Sequence, residues 1–233
     1  MWLAVLAIPV TFVCLAVVVW VWAVRASARA EEARFARIAQ FLAPRGWRFS
    51  TKDADRERVE AAVVELGAAG VFDIYWVASG HGGTLFEYGV NARDKRGYGY
   101  LERSPFPNLT HGVKISPRAQ WLGIDLAPTF QFGREVGEGW ASPEFHKRYR
   151  VVAQDATEAA RVVTSRLQFL LLELPDIGSA KLDRELVEAA VNRSHWAVLG
   201  RKWDWDNKKI EDGFPGLENH LRLAGRIRDA LGR

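Results

Sequence analysis

Five histidines, His81, His111, His146, His195 and His220, are the residues best suited to acid–base or metal chemistry in this chain. No two stand four residues apart and none sits in an H-E-x-x-H frame, so spacing sets up no metal site. Ser79-Gly-His-Gly-Gly83 could turn backbone N–H groups toward a phosphate. It lacks the lysine and the strand-to-helix setting of a P-loop and reads as a hairpin tip. Trp203-Asp-Trp-Asp-Asn207, with Glu211 and Asp212, collects carboxylates that calcium could use, but off the EF-hand spacing. It reads as a polar loop with two tryptophans seated on a sheet. Ser79, Ser104 and Ser142 have no G-x-S-x-G elbow around them. His146, Lys147, Arg148 and Arg150, interleaved with Phe145 and Tyr149, could meet nucleic acid, yet strand alternation makes them a solvated sheet face. The expectation is therefore no catalytic residue, no cofactor, no metal and no nucleic-acid partner. Were a small-molecule or catalytic site present, it would gather His81, Glu87, Asp125 or Glu135 in a deep pocket.

Those residues sit in a chain of 233, with 32 Lys and Arg against 28 Asp and Glu and a net charge of +4. With 48% hydrophobic and 12% aromatic residues, it is not a disordered chain. One cysteine excludes a disulfide scaffold and any multi-cysteine zinc site. A pI near 9.3 is too weak a bias to argue for DNA.

Every charged residue lies after Val24. Met1–Val24 is a single apolar run, long enough as a helix to cross a hydrocarbon core of roughly 30 Å. A helix is required there because lipid offers the backbone no partners, and it tolerates Pro9. Trp20 and Trp22 near one end suit the headgroup level, and Cys14 reads as a small apolar residue. Ala26-Ser27-Ala28 has the form of a cleavage site, but the run lacks a basic n-region and is long for a signal peptide, so it is read as uncleaved. Arg25, Arg29, Arg34 and Arg37 follow the span, offset by Glu31 and Glu32. Such an excess stays in the cytoplasm, which predicts the N-terminus outside and the C-terminal domain inside.

Residues 25–45 form a juxtamembrane segment. Within it, Ala28–Ala43 places Phe35, Ile38, Ala39 and Leu42 on one stripe and predicts an amphipathic helix stopped by Pro44 and Gly46. Its arginines, Arg25, Arg29, Arg34 and Arg37, are possible contacts for anionic lipid. The alternative favoured here packs the apolar stripe on the domain and leaves the arginines solvated.

The rest, residues 46–233, reads as one domain. Expected strands are Gly46–Phe49, Val71–Ala78, Thr84–Val90, Tyr98–Glu102, Thr110–Ile115, Trp121–Leu126, Thr129–Phe132, Phe145–Ala153 and His195–Gly200. Expected helices are Asp53–Leu66, capped by Asp53 or Asp55 and stopped by Gly67, Asp155–Leu174, and Leu217–Leu231. Asp183–Val191 fits either state. The glycines and prolines between residues 91 and 143 make that stretch the least regular. The fold class expected is α+β: an N-terminal transmembrane helix, then one domain with a curved antiparallel β-sheet and packed helices.

The run Pro143-Glu-Phe-His-Lys-Arg-Tyr-Arg-Val-Val-Ala-Gln-Asp-Ala-Thr-Glu-Ala-Ala-Arg161, with Phe86-Glu-Tyr88 and Gly46-Trp47, resembles an uncharacterised family of actinobacterial-type single-span membrane proteins with a C-terminal domain of unknown function. The resemblance covers most of residues 40–231 and departs most between Ala92 and Trp121. It implies the fold and the anchoring, and assigns no catalytic residue.

The functional expectation is a membrane-anchored, non-enzymatic protein. It meets the lipid bilayer through residues 1–24 and binds a membrane protein partner or assembly at the cytoplasmic face. Tyr98, Tyr100, Phe106 and Trp140 are the expected exposed interface. The alternatives are a tethered enzyme or small-molecule-binding domain with a site assembled across the sheet, and a peripheral lipid sensor.

Overall fold

The computed structural model describes residues 2–68, 72–90, 96–118, 120–121, 124–125, 134–137, 139–154, 156–174, 185–202 and 215–232; the side chains of 2–14, 72, 90, 120–121, 124–125, 185–186, 201–202 and 215 are outside that description. The expected strand Thr129–Phe132 and the acidic loop from Trp203 to Asp212 lie outside the described residues. The chain divides into two compact units, Met1–Arg45 and Gly46–Arg233.

The first unit is one helix, α1 (Trp2–Leu42), followed by a 3-10 turn at Ala43–Arg45. The helix runs unbroken through the point where a second, amphipathic helix was expected to begin. The alanines of residues 23–43 are strong helix formers, and no residue there breaks the ladder before Pro44. Arg45 caps the end, donating to the Phe41 carbonyl at 2.9 Å with its guanidinium over the Phe41 ring. Leu15, Val18, Trp20 and Trp22 are exposed, and Ile38 and Leu42 are buried. Among the described residues no helix is long and apolar enough to cross a membrane.

The second unit is α+β. Its centre is an antiparallel eight-stranded sheet built from β1 (Arg48–Ser50), β2 (Phe72–Gly80), β3 (Gly83–Val90), β4 (Arg96–Arg103), β5 (Val113–Pro117), β8 (Tyr149–Val152), β9 (Glu185–Val191) and β10 (His195–Lys202). The strand order is β1-β2-β3-β4-β10-β9-β5-β8, and β6 (Gln120–Trp121) pairs with β7 (Ile124–Asp125) in a separate hairpin. The helices are α2 (Asp53–Glu65), α3 (Pro143–Arg148), α4 (Ala156–Val162), α5 (Ser165–Glu173) and α6 (Pro215–Ala230).

Local chemistry explains most of these elements. The β2–β3 turn is only His81-Gly82, both at positive φ (51° and 81°), the backbone a type I′ hairpin needs. It is shorter and tighter than the five-residue tip expected. α2 ends in a Schellman motif: Gly67 at φ 89° lets its own N–H reach the Val64 carbonyl at 2.8 Å and that of Ala68 reach Val63 at 3.2 Å. Its N-cap is Lys52, which makes no side-chain cap bond; Asp55 instead accepts from Ser50 Oγ at 2.7 Å.

Three expected elements of the domain are corrected. Trp121–Leu126 is not one strand, since Trp121 of β6 pairs with Ile124 of β7 across a hairpin. Phe145–Ala153 is not one strand. Ser142 accepts from the Phe145 N–H and Pro143 follows it, a cap and first-turn pair that starts α3 and delays β8 to Tyr149. Asp155–Leu174 is not one helix either. Thr164 leaves helical geometry and accepts from the Leu167 N–H, which ends α4 and caps α5. The ambiguous Asp183–Val191 resolves as β9, because its Val187, Ala189 and Val191 pair across to β10 and face the core.

The core lies on both faces of the sheet. On one, α2 buries Val59, Ala62, Val63 and Leu66 against Val77, Phe86, Tyr88, Leu101 and Leu199. On the other, Trp76, Tyr100, Trp196 and Val198 are buried, α6 packs on β4 and α3 on β8; the Tyr149 hydroxyl donates to the Leu171 carbonyl at 2.8 Å, and Tyr98 packs near His220. Gly99 falls within the expected strand Tyr98–Glu102, and β4 extends it to take in Gly97 as well. Gly97 and Gly99 stand opposite Tyr88 and Phe86 in register, and a Cβ at either would overlap those rings. Glycine there lets an aromatic lie flat over the neighbouring strand.

Candidate functional site

Buried acids draw attention first, because burying a charge is costly unless it is paired. Glu87 of β3 is buried; Trp76 Nε1 donates to it and Arg96 lies at 3.5 Å. Glu102 of β4 is buried too, accepting from the Tyr100 hydroxyl at 3.0 Å and pairing with Arg228 Nε of α6 at 2.9 Å. Arg228 also donates to the Tyr100 hydroxyl. Burial pushes the Tyr100 phenol up to about 12, the Glu102 carboxylate adds to the rise, and Arg228 opposes it. Glu158 of α4 accepts from the backbone N–H of Thr110 at 2.9 Å and of His111 at 3.3 Å, which latches the loop between β4 and β5.

A second polar group lies at the β9–β5–β8 end of the face that α2 covers elsewhere. Lys114 and Ser116 alternate on β5, and Glu188 stands beside them on β9; all three are buried. Ser116 Oγ donates to Glu188 at 3.4 Å. Burial holds the Lys114 ammonium below its ordinary value. Arg150, opposite Ser116 in register, pairs with Glu135 at 3.2 Å, and Arg118 pairs with the same carboxylate.

The described residues also enclose a groove of about 370 Å³ beside α2, at the end of the sheet where β2 turns into β3. Val77 and Leu101 lie in its floor; Ser79, Thr84, Arg103 and His195 line it from the sheet, and Asp55, Arg58 and Glu65 from the helix. His195 Nδ1 is sheltered from solvent without a hydrogen-bond partner, with Glu65 Oε2 4.0 Å away.

Of the residues named for a site, should one exist, His81, Glu87 and Glu135 lie apart from one another. His81 is exposed at the hairpin tip, edge-on to Trp47. Glu87 faces the side of the sheet opposite α2, Glu135 joins Arg118 and Arg150, and the side chain of Asp125 is outside the described residues. Of the expected exposed interface, Tyr100 is corrected: it is 1% exposed, because it lies over Gly83 between Trp47, Trp196 and Arg228. Tyr98, Phe106 and Trp140 are half-buried; Tyr98 packs on Trp76, and Trp140 stands edge-on to His146 at 5.2 Å. Arg25, Arg29 and Arg37 are exposed, whereas the Arg34 side chain is 12% exposed and pairs with Glu31 at 3.2 Å, so it is not an open lipid contact.

The groove was not foreseen from the sequence, because its lining comes from one helix and four strands. The register of those strands is set by the folded sheet. No protein family, characterised protein or solved structure matches this chain.

Proposed function

We propose that this is a single-span membrane protein with its N-terminus outside and its Gly46–Arg233 unit on the cytoplasmic side, acting as a non-enzymatic binding domain for a partner or assembly in the same membrane. One observation carries the tether. Leu15, Val17, Val18, Val19, Trp20, Trp22 and Val24 form consecutive turns of α1 with 49–71% of each residue exposed. Apolar surface of that extent is unfavourable in water by roughly 25 cal/mol per Å² and is relieved in lipid. It continues the uncharged run that begins at Met1, and Arg25 and Arg29 follow it as the basic flank of a span that stays inside.

The binding role is supported by how the polar groups of the domain are used. Glu87, Glu102, Glu135 and Glu158 are each engaged by cations, ring N–H groups or backbone N–H groups that hold the fold together. These pairings suit structural ties better than acid–base chemistry.

Alkaline carbonate extraction of cell membranes tests the tether. The full chain is expected to stay with the pellet, while a chain beginning at Arg25 is released. Release of the full chain would sink the proposal. Protease added to intact cells is expected to leave the domain uncut, and cleavage within Gly46–Arg233 would reverse the orientation.

A further inference from the structure

We propose that the groove beside α2 binds a small amphipathic carboxylate: an apolar body ending in one carboxyl group. This goes beyond the membrane tether and does not depend on it. The cavity, about 370 Å³, is within the range that holds small ligands. Val77 and Leu101 give it an apolar floor, and both are buried. Strand alternation brings the Ser79 and Thr84 hydroxyls to the same face, directly paired in the β2–β3 register.

The anion subsite is at the mouth, where Arg103 and His195 are cross-strand partners. Among the described residues Arg103 is exposed and has no ion-pair partner, unlike Arg96, Arg118, Arg150 and Arg228. His195 Nδ1 is sheltered from solvent with no hydrogen bond. A carboxylate between them receives the guanidinium fork and a hydrogen bond from the imidazole Nδ1, which Glu65 approaches only to 4.0 Å. The rim also holds Asp55 and Glu65. Asp55 is engaged by Ser50 and Arg58; Glu65 accepts from Asn192 at 3.4 Å through Oε1, and its Oε2 stands 4.0 Å from His195 Nδ1. Their negative charge favours a monoanion over a phosphate dianion, and it disfavours an elongated polyanion such as nucleic acid.

The test uses the full chain in phospholipid nanodiscs, titrated by ligand-observed NMR, with empty nanodiscs subtracting membrane partition. The probes are phenylpropionate, phenylpropanol, phenylpropylammonium and phenyl phosphate. Saturable phenylpropionate binding, about tenfold tighter than the alcohol and tighter than the amine or the phosphate, is expected for one charge-assisted contact. Arg103→Gln is expected to bring phenylpropionate down to the affinity of the alcohol while leaving the alcohol unchanged. Arg103 is exposed, so the variant folds, and an unchanged thermal transition verifies that. Equal affinity for carboxylate and alcohol, no saturable binding, tighter binding of phenyl phosphate, or an inert Arg103→Gln would each overturn the proposal.

Discussion

One face of the sheet carries two different interiors. Toward β2, β3 and β4 it is apolar: Phe86 and Tyr88 lie over Gly99 and Gly97, and α2 closes the layer with Val59, Val63 and Leu66. Toward β9, β5 and β8 the same face presents Glu188, Lys114, Ser116 and Arg150. The strands alternate identically in both halves. What differs is the side chain at each inward position and therefore the force that holds it. In the first half, stability comes from area removed from water and from close ring packing. In the second it depends on hydrogen bonds and ion pairs that offset desolvation, a smaller net gain per group. The contrast teaches that position within a sheet does not by itself say what a residue contributes.

Four measurements can break or sharpen that contrast. The largest effect belongs to Phe86→Ala, which opens a cavity under α2 and is expected to cost about 4 kcal/mol in denaturant unfolding. A loss below about 1 kcal/mol would mean the ring is not central. Gly99→Ala is expected to cost about 2–3 kcal/mol, because the new methyl overlaps the Phe86 ring. The double variant Phe86→Leu with Gly99→Ala should recover part of that loss; strict additivity would deny the coupling. In the polar half, Ser116→Ala removes one long hydrogen bond and should cost about 0.5–1 kcal/mol. A cost matching that of Gly99→Ala would erase the distinction between the halves.

A further effect, seen only at alkaline pH, is the titration of the buried Tyr100 phenol on the opposite face. Its folded value, about 12, lies above the ordinary 10.0. The folded state therefore holds this proton more tightly than the unfolded one. Its contribution is full below about pH 10 and is lost as pH rises toward 12. Tyr100→Phe should flatten stability against pH in that window alone. An unchanged alkaline slope in equilibrium unfolding would show that Tyr100 does not titrate this way.

Much of the α+β, antiparallel character was legible, because β-branched and aromatic runs such as Val71–Ala78 and the stop at Gly67 are local signals. Two of the misread segments fail for a local reason as well. At Phe145 the alternation of residue types outweighed the Ser142-Pro143 start signal. At Thr164 an unbroken apolar stripe hid a second N-cap. The aromatics proposed for an interface fail for a different reason. Tyr100 looks exposed in a glycine-rich stretch only until Gly83, read as part of a turn, is seen as a β3 position over which its ring lies. Cα register cannot be read from glycine content.

By itself the sequence determined where charge stops, which runs can be strands, and where several helices begin or end, since each of these depends on neighbours within a few residues. Only the tertiary structure decided which acids meet which arginines and that His195, Arg103 and Thr84 line one groove. Those groups lie far apart along the chain, and it is strand register, closed by hydrogen bonds between distant segments, that sets their distances.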